Sequence, residues 1–446
     1  MGALPAVLRR LEGAPVTPRA GIIADDLTGA LDSGLEAWKR GFPVRVLFPP
    51  FDAASFGPGL VVLDTESRNL EAGGAALSVG RAVALLSETG RELRYKKIDS
   101  TLRGNLGGEI EAVLNAGSCA AALLAPSLAR AGRTVREGIH RVGGVPLAET
   151  EASRDPRWPL RSSSVSEIVS GQTSLPLALL ALSSVRRGTA PPGAELSRLM
   201  GAGARIIIAD AETEGDLARL AASARAVFPA LLPCGSAGLF AEVSALWPPV
   251  GAVSSRVLPR VSEGGVLVVS GSMSEVSMAQ IEEALKLPRA VLVQPAAERL
   301  FGEAEESRAE ELQVAKAVLS ALEHGATVIL GAAGASAGEP GSRERVGPGE
   351  LARRGRLTMR ALARASLGAA ERVRGMALVG GDTAVAVCRA LGATGIEITG
   401  EIEPLVPRGV IVGGAYQGLP MVTKAGALGS RRALRDAVGM LAASPT

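Results

Sequence analysis

The chain has 446 residues, 47% of them hydrophobic and 21% charged, with a formal net charge of +3. This is the composition of a globular chain with ample core, and its length predicts two or three domains of about 100–200 residues each. Aromatic side chains make up only 3% and the charges are interspersed, which disfavours ring-stacked nucleic-acid recognition and a cationic membrane surface.

Cys119, Cys234 and Cys388 stand far apart, and His140 and His324 stand alone. They spell neither a zinc site, a disulfide framework nor a serine–histidine hydrolase. The first residues, "MGALPAVLRRLEGAPVTPRA", have no sustained apolar core and no small-residue cleavage pattern, and residue 6 is Ala. Neither a secretory nor a myristoylation signal is expected. No stretch approaches the ~20 apolar residues of a membrane helix. The expectation is a cytoplasmic chain with no nucleic-acid or membrane partner.

In chain order, "PRAGIIADDLTGALDSGLEAWKRG" predicts a buried strand ending near Ala24, a turn, and an amphipathic helix from about Thr28 to Arg40. "FPVRVLF" and "GLVVLDTESR" predict two further strands ending in polar residues, and Ala72 to Gly90 has helical spacing. "ELRYKKID" is strand-like and runs into "KKIDSTLRGN", after which "GEIEAVLNAG" predicts a helix and "CAAALLAPS" a buried strand. "RIIIADAETEGDLARLAASA" repeats the strand–helix unit. The stretch Leu246 to Gly265, rich in Pro, Ser, Val and Gly, predicts an interdomain linker. Beyond it the pattern restarts in "GVLVVSGSMSEVSMAQIEEAL", "ATVILGAAGAS", "GMALVGGDTAVAVCRALG" and "LPMVTKAGALGS". The expected fold class is α/β, with two α/β domains that each carry a largely parallel, helix-covered sheet and an active site in the cleft between them.

Ligands of such sheets bind outside the carboxyl ends of the strands. Polar residues cluster there: Asp25 and Asp26 after "GIIA", Arg68 after "VVLDTES", and Lys97, Asp99, Ser100, Thr101 and Arg103 after "ELRY". Cations that grip a carboxylate, beside carboxylates and hydroxyls that bind hydroxyl groups, suit a small polyhydroxylated acid. Each has a plainer reading, since Asp25, Asp26 or Asp99 can cap a helix or turn and Arg103 can be a surface cation. In the second half "SGSMS", "GGDTA" and "KAGALG" each follow a strand, where glycine-rich backbone N–H groups and helix N-termini suit a phosphate. Neither a P-loop nor a dinucleotide fingerprint is present. "GAAGASAG" (331–338) fits a third phosphate loop or, slightly better, a flexible connection. Together the halves suggest phosphoryl transfer from a nucleotide to a small acid, with Mg²⁺ on the phosphates and a carboxylate to take the hydroxyl proton.

"ADDLTGALDSG", "KKIDSTLRGN", "APSLARAGRTVREG", "SGSMSEVSMAQI", "GGDTA" and "KAGALG", in that order, resemble the four-carbon acid sugar kinase family from about residue 20 to residue 430. The resemblance implies a sugar-acid domain at 1–250, an ATP-binding domain at 251–446, and ATP-dependent phosphorylation of the terminal hydroxyl of threonate, erythronate or 3-oxo-tetronate. Carried over, it places the sugar acid on Asp25, Asp26, Arg68, Lys97, Ile98, Asp99 and Ser100, with Arg103 and Arg133 as further contacts. It places ATP on Ser270, Ser272, Gly380, Gly381, Asp382, Thr383 and Gly426. Chemistry selects Asp26 or Asp99 as the base; the metal ligands and a homodimer stay open. The chain departs from the family where "LVP" follows "EIEP" in place of a usual Gly, and where Ala427 and Leu428 stand for Gly and Phe. Those departures motivate a rival, a non-catalytic sensor of sugar acid and nucleotide. A dehydrogenase is a weaker third option, lacking its fingerprint.

Overall fold

The computed structural model describes residues 19–117, 119–155, 157–188, 192–248, 257–260, 262–332 and 347–443. In the first lobe the strands are β1 (Ala20–Ala24), β2 (Val44–Leu47), β3 (Leu60–Asp64), β4 (Glu92–Lys97) and β5 (Ala121–Ala125). A small antiparallel sheet follows, made of β6 (Arg133–Arg136), β7 (Ile139–Val142) and β8 (Val145–Pro146). The lobe is completed by β9 (Leu177–Leu180), β10 (Ile206–Ala209) and β11 (Leu231–Gly235). The second lobe holds β12 (Gly265–Ser270), β13 (Ala290–Val293), β14 (Thr327–Gly331), β15 (Val373–Val379), β16 (Gly395–Glu403), β17 (Val406–Val412) and β18 (Pro420–Lys424).

Strands β1, β3, β5 and β10 are apolar except for Asp64 at the end of β3. "AGIIA", "LVVLD", "AALLA" and "IIIA" are buried at every position, as strands covered by helices on both faces must be. The main sheet of the first lobe is parallel throughout, in the order β2-β3-β1-β4-β11-β5-β10-β9, and the second has a parallel set β13-β14-β12-β15-β18. In the first lobe β1 and β4 are neighbours, and the residues after them occupy the crevice expected of a doubly wound sheet. In the second, β12, β15 and β18 are adjacent, so the three turns after them converge.

The two lobes share one sheet of fifteen strands. The hairpin β16–β17 pairs antiparallel with β18 on one side, and β16 pairs antiparallel with β2 on the other, Ile396 opposite Val46 and Glu397 opposite Arg45. Arg45 Nε donates to Glu397 Oε2 at 2.8 Å across that seam. Val257, Val410 and Val412 pack together, and Arg260 N–H donates to Gly418 O at 2.8 Å, so residues 257–260 of the expected linker lie along β17 and the turn after it. Residues 249–256 and 261 of that linker lie outside the described residues, as do 333–338 of "GAAGASAG". Among the described residues no helix is long and apolar enough to cross a membrane.

Candidate functional site

The helix Leu27–Lys39 starts directly after β1. Asp26 is its N-cap, with Oδ1 accepting from Gly29 N–H at 2.9 Å. The same carboxylate takes two N–H donors from Arg68, at 2.6 and 2.7 Å, in a fork that fits the guanidinium plane. Capping and site chemistry are therefore one arrangement, and the two readings of Asp26 from sequence coincide. Arg68 Nε also donates to Asp25 Oδ2 at 2.8 Å, and a guanidinium nitrogen lies 3.9 Å from Asp99 Oδ1. One arginine thus ties together the ends of β1, β3 and β4.

The run after β4 continues the wall. Asp99 accepts from Arg103 Nε at 2.7 Å and from Thr101 Oγ1 at 2.6 Å. Burial opposes its charge, yet Arg68 and Arg103 hold its pKa well below the ordinary carboxylate range. Arg133, from β6, donates to Ser100 Oγ. Lys97 Nζ donates to Ile98 O at 2.9 Å, and no carboxylate of the described residues comes within ion-pair distance of Lys97 or Arg133. Ile98 itself is buried among Leu102, Leu106 and Ile110, so only its backbone faces the site. The structure brings Asp25, Asp26, Arg68, Lys97, Ile98, Asp99, Ser100, Arg103 and Arg133 into one connected cluster.

The sequence does not single out as site residues three that lie beneath the wall, Lys96, Glu109 and His140. Lys96 Nζ pairs with Glu109 Oε2 at 2.7 Å, both fully buried. His140 Nε2 sits 2.8 Å from Ser100 O, and burial lowers its pKa to about 4, which keeps the ring neutral. It ties the small sheet to the run after β4.

The second lobe uses backbone instead. Gly380 holds φ +102°, a conformation for glycine, and starts the helix Gly381–Ala390. Gly271 N–H donates to Thr383 Oγ1 at 3.2 Å, and Gly380 N–H to Lys424 O at 2.9 Å. Gly426 O accepts from Ser274 Oγ at 2.9 Å and from Ser277 Oγ at 2.6 Å, and a Cβ on Gly426 would collide with Ser272 Oγ. Ser270 Oγ donates to Ser272 O at 3.3 Å. Ser270, Ser272, Gly380, Gly381, Thr383 and Gly426 therefore converge, while Asp382 is exposed and pairs with Arg157 of the first lobe at 3.3 Å.

The family departures take definite forms here. Ala427 is exposed and is absent from the positive-φ positions, so alanine fits its backbone without strain. Leu405, at the tip of the β16–β17 hairpin, holds φ +70°, the region that favours glycine. It lines the cleft between the lobes.

That cleft is where the clusters meet. A Cβ on Gly381 would lie 2.8 Å from Thr28 Oγ1 and 3.9 Å from Asp26 Oδ2. The lining includes Thr28, Leu31 and Asp32 from the first helix, Gly380 and Gly381, and Lys424 from the end of β18. Lys424 Nζ donates to Ala425 O at 2.8 Å and has no ion-pair partner among the described residues. Burial lowers its pKa to about 8 against the pull of Glu403. Asp32 and Lys424 are the two chemically capable residues that the sequence reading passed over.

The chain matches a sugar-binding N-terminal domain over residues 20–243 and a nucleotide-binding C-terminal domain over residues 267–434. It is 36% identical to a D-threonate kinase of Salmonella typhimurium over 428 residues, 94% of this chain and 97% of that protein. A D-erythronate kinase of Heliobacterium modesticaldum is 30% identical over 439 residues, 94% of this chain and 96% of that protein. A crystal structure from Salmonella typhimurium LT2 superposes with a TM-score of 0.74 at 24% identity, covering 94% of this chain and 98% of that one, a likeness that shows the fold alone. The chain belongs to the four-carbon acid sugar kinase family.

Proposed function

We propose that the chain is an ATP-dependent kinase that phosphorylates the terminal, 4-hydroxyl group of a four-carbon sugar acid, such as a threonate, an erythronate or a 3-oxo-tetronate. Residues 1–250 hold the acid and 251–446 hold the nucleotide. The observation that carries the reading is the close approach of Thr28, with Asp26 nearby, to Gly381, where a Cβ would meet Thr28 Oγ1 at 2.8 Å, which sets the anion-gripping wall against the turn of a phosphate cradle.

Arg68 spends its donors on Asp25 and Asp26, so its task is to fix those carboxylates. The substrate carboxylate is left to the cations without a carboxylate partner, Lys97 and Arg133, with Ser100 beside them. Asp25, Asp26 and Asp99 accept from the hydroxyls. Backbone N–H groups at Gly381 to Thr383 and around Gly426 receive the phosphates, where the helix N-terminus adds partial positive charge. Lys424, without a carboxylate partner, stands ready to draw charge from the migrating phosphoryl group.

Among the described residues there is no group of three or more His, Cys, Asp or Glu side chains that could cage a metal. That suits Mg²⁺, which keeps several waters and binds through substrate phosphates and one or two carboxylates. Asp382, exposed on the first turn of its helix and paired with Arg157, would be the carboxylate to share it. Bound there, Mg²⁺ would neutralise phosphate charge.

The test is ADP formation with a panel of four-carbon acids. Release that requires ATP, Mg²⁺ and one tetronate is the expected result. Tight binding of both ligands without ADP would instead support the sensor.

A further inference from the structure

Most carboxyl groups at or near the cleft wall of the first lobe are unsuited to take a proton there; Glu66, after β3, is paired with Arg389 of the second lobe. Both oxygens of Asp26 accept from Arg68, and one also caps the helix. Asp99 is held by Arg103, Thr101 and Arg68. Asp25 is buried against Arg68, Asp64 has no exposed surface, and Glu109 is buried against Lys96. Asp32, by contrast, is half-buried, lines the cleft, and has no hydrogen bond or ion pair among the described residues.

Its place on the helix explains why it faces the reaction. Thr28 and Asp32 are four residues apart and share one helix face. Thr28 lies against Gly381, so that face looks across to the phosphate turn and to Lys424.

We propose that Asp32 is the general base of the phosphoryl transfer. The inference rests on the kinase reading above and names a residue in it. The O–H bond of the acid's terminal hydroxyl breaks, and its proton passes to an Asp32 oxygen. The freed electron pair on the hydroxyl oxygen forms the bond to the terminal phosphorus of ATP. The bond from that phosphorus to its bridging oxygen breaks, and that pair leaves on ADP. The proton then passes from Asp32 to solvent through the cleft.

The surroundings support the role. Burial pushes the Asp32 pKa up to about 6, Lys97 on β4 and Arg130 pull it down, and Asp26 and Glu36 push it up. Arg133 also faces it, from β6, and Lys424 shares its cleft. A base with a value near the working pH is charged when needed and still accepts a proton effectively.

The experiment compares wild-type enzyme, Asp32→Asn and Asp32→Glu in Mg²⁺-ATP with the best tetronate from the panel, together with calorimetric binding of that tetronate. Asp32→Asn is expected to lower kcat by about 10²–10⁴-fold. Its KM for ATP and its tetronate Kd should stay within about threefold, as expected for a group acting only in the transition state. Wild-type kcat/KM should rise with pH through about 6, that limb should vanish in Asp32→Asn, and Asp32→Glu should restore part of the rate. Asp32→Asn turning over within tenfold of wild type, with the limb intact, overturns the base assignment alone. A rate loss matched by an equal loss of tetronate binding also overturns it. Wild-type protein that releases no ADP with any tetronate overturns the kinase reading, and the base with it.

Discussion

In the first lobe the cleft wall is built from charged side chains that hold one another: Arg68 grips Asp25 and Asp26, and Arg103 grips Asp99. In the second lobe it is built from backbone, with Gly380 at positive φ, Gly426 packed on Ser272, and Lys424 as its one cation without a carboxylate partner among the lining residues described. The difference follows from the ligands. A small acid with several hydroxyls is recognised by directional groups of both signs, whereas a polyphosphate is met by N–H groups that need room to approach. The first wall should therefore fail when a charge is removed, and the second when an atom is added or its single cation is lost.

The largest effect is expected from Arg68→Ala. It leaves Asp25, Asp26 and Asp99 facing one another without their shared cation, at a cost of about 3–5 kcal/mol for a broken buried pair. Denaturant unfolding should show that loss, and ADP release should be abolished; wild-type stability would separate Arg68 from the wall.

Next is Lys424→Met, expected to lower kcat by about 10²–10³-fold, as when a donor to developing charge is removed. The charged amine is the active form, so wild-type turnover should fall as pH rises through about 8, and the variant should lack that limb. Stability moves the other way. With the folded value below the ordinary lysine value, the unfolded chain binds more protons between the two, so the cost of burying this charge is full below about pH 8 and fades above it. Lys424→Met should melt higher than wild type at pH 7 and lose that advantage at alkaline pH. A lower melting point at pH 7 would contradict the unpaired buried charge.

Gly426→Ala forces a Cβ onto Ser272, an overpacking of about 1–3 kcal/mol. ATP affinity measured by calorimetry should fall roughly 5–100-fold while tetronate affinity holds. Equal losses of both would erase the division of labour between the lobes. Leu405→Gly is the smallest change. Relief of the left-handed backbone and loss of the side chain oppose each other, so stability should move by no more than about 1 kcal/mol.

Much of this was legible in the sequence because it is local. Strand, turn and helix follow one another within "GIIADDLTGALDSG" and "MALVGGDTAVAV", and the observed strand Ala20–Ala24 and helix Leu27–Lys39 match their periodicity closely. The joining of the lobes was not legible, because β2 and β16 pair across some 350 positions and neither strand announces its partner. The occupancy of Arg68 was hidden for the same reason, since only tertiary contact shows that its donors are already taken. Asp32 reads in sequence as a polar residue on a helix face. Gly381 on the opposing lobe turns that face into a cleft wall. Lys424 was masked by the glycines that follow it.

The most direct test of the opposed walls is a crystal structure with a tetronate and a non-hydrolysable ATP analogue. The account predicts the acid between Lys97 and Arg133, the terminal phosphorus near Gly381 and Lys424, and the 4-hydroxyl oxygen about 3–3.5 Å from that phosphorus in line with the leaving oxygen. Ligands on separate surfaces, with no protein movement bringing them together, would contradict it.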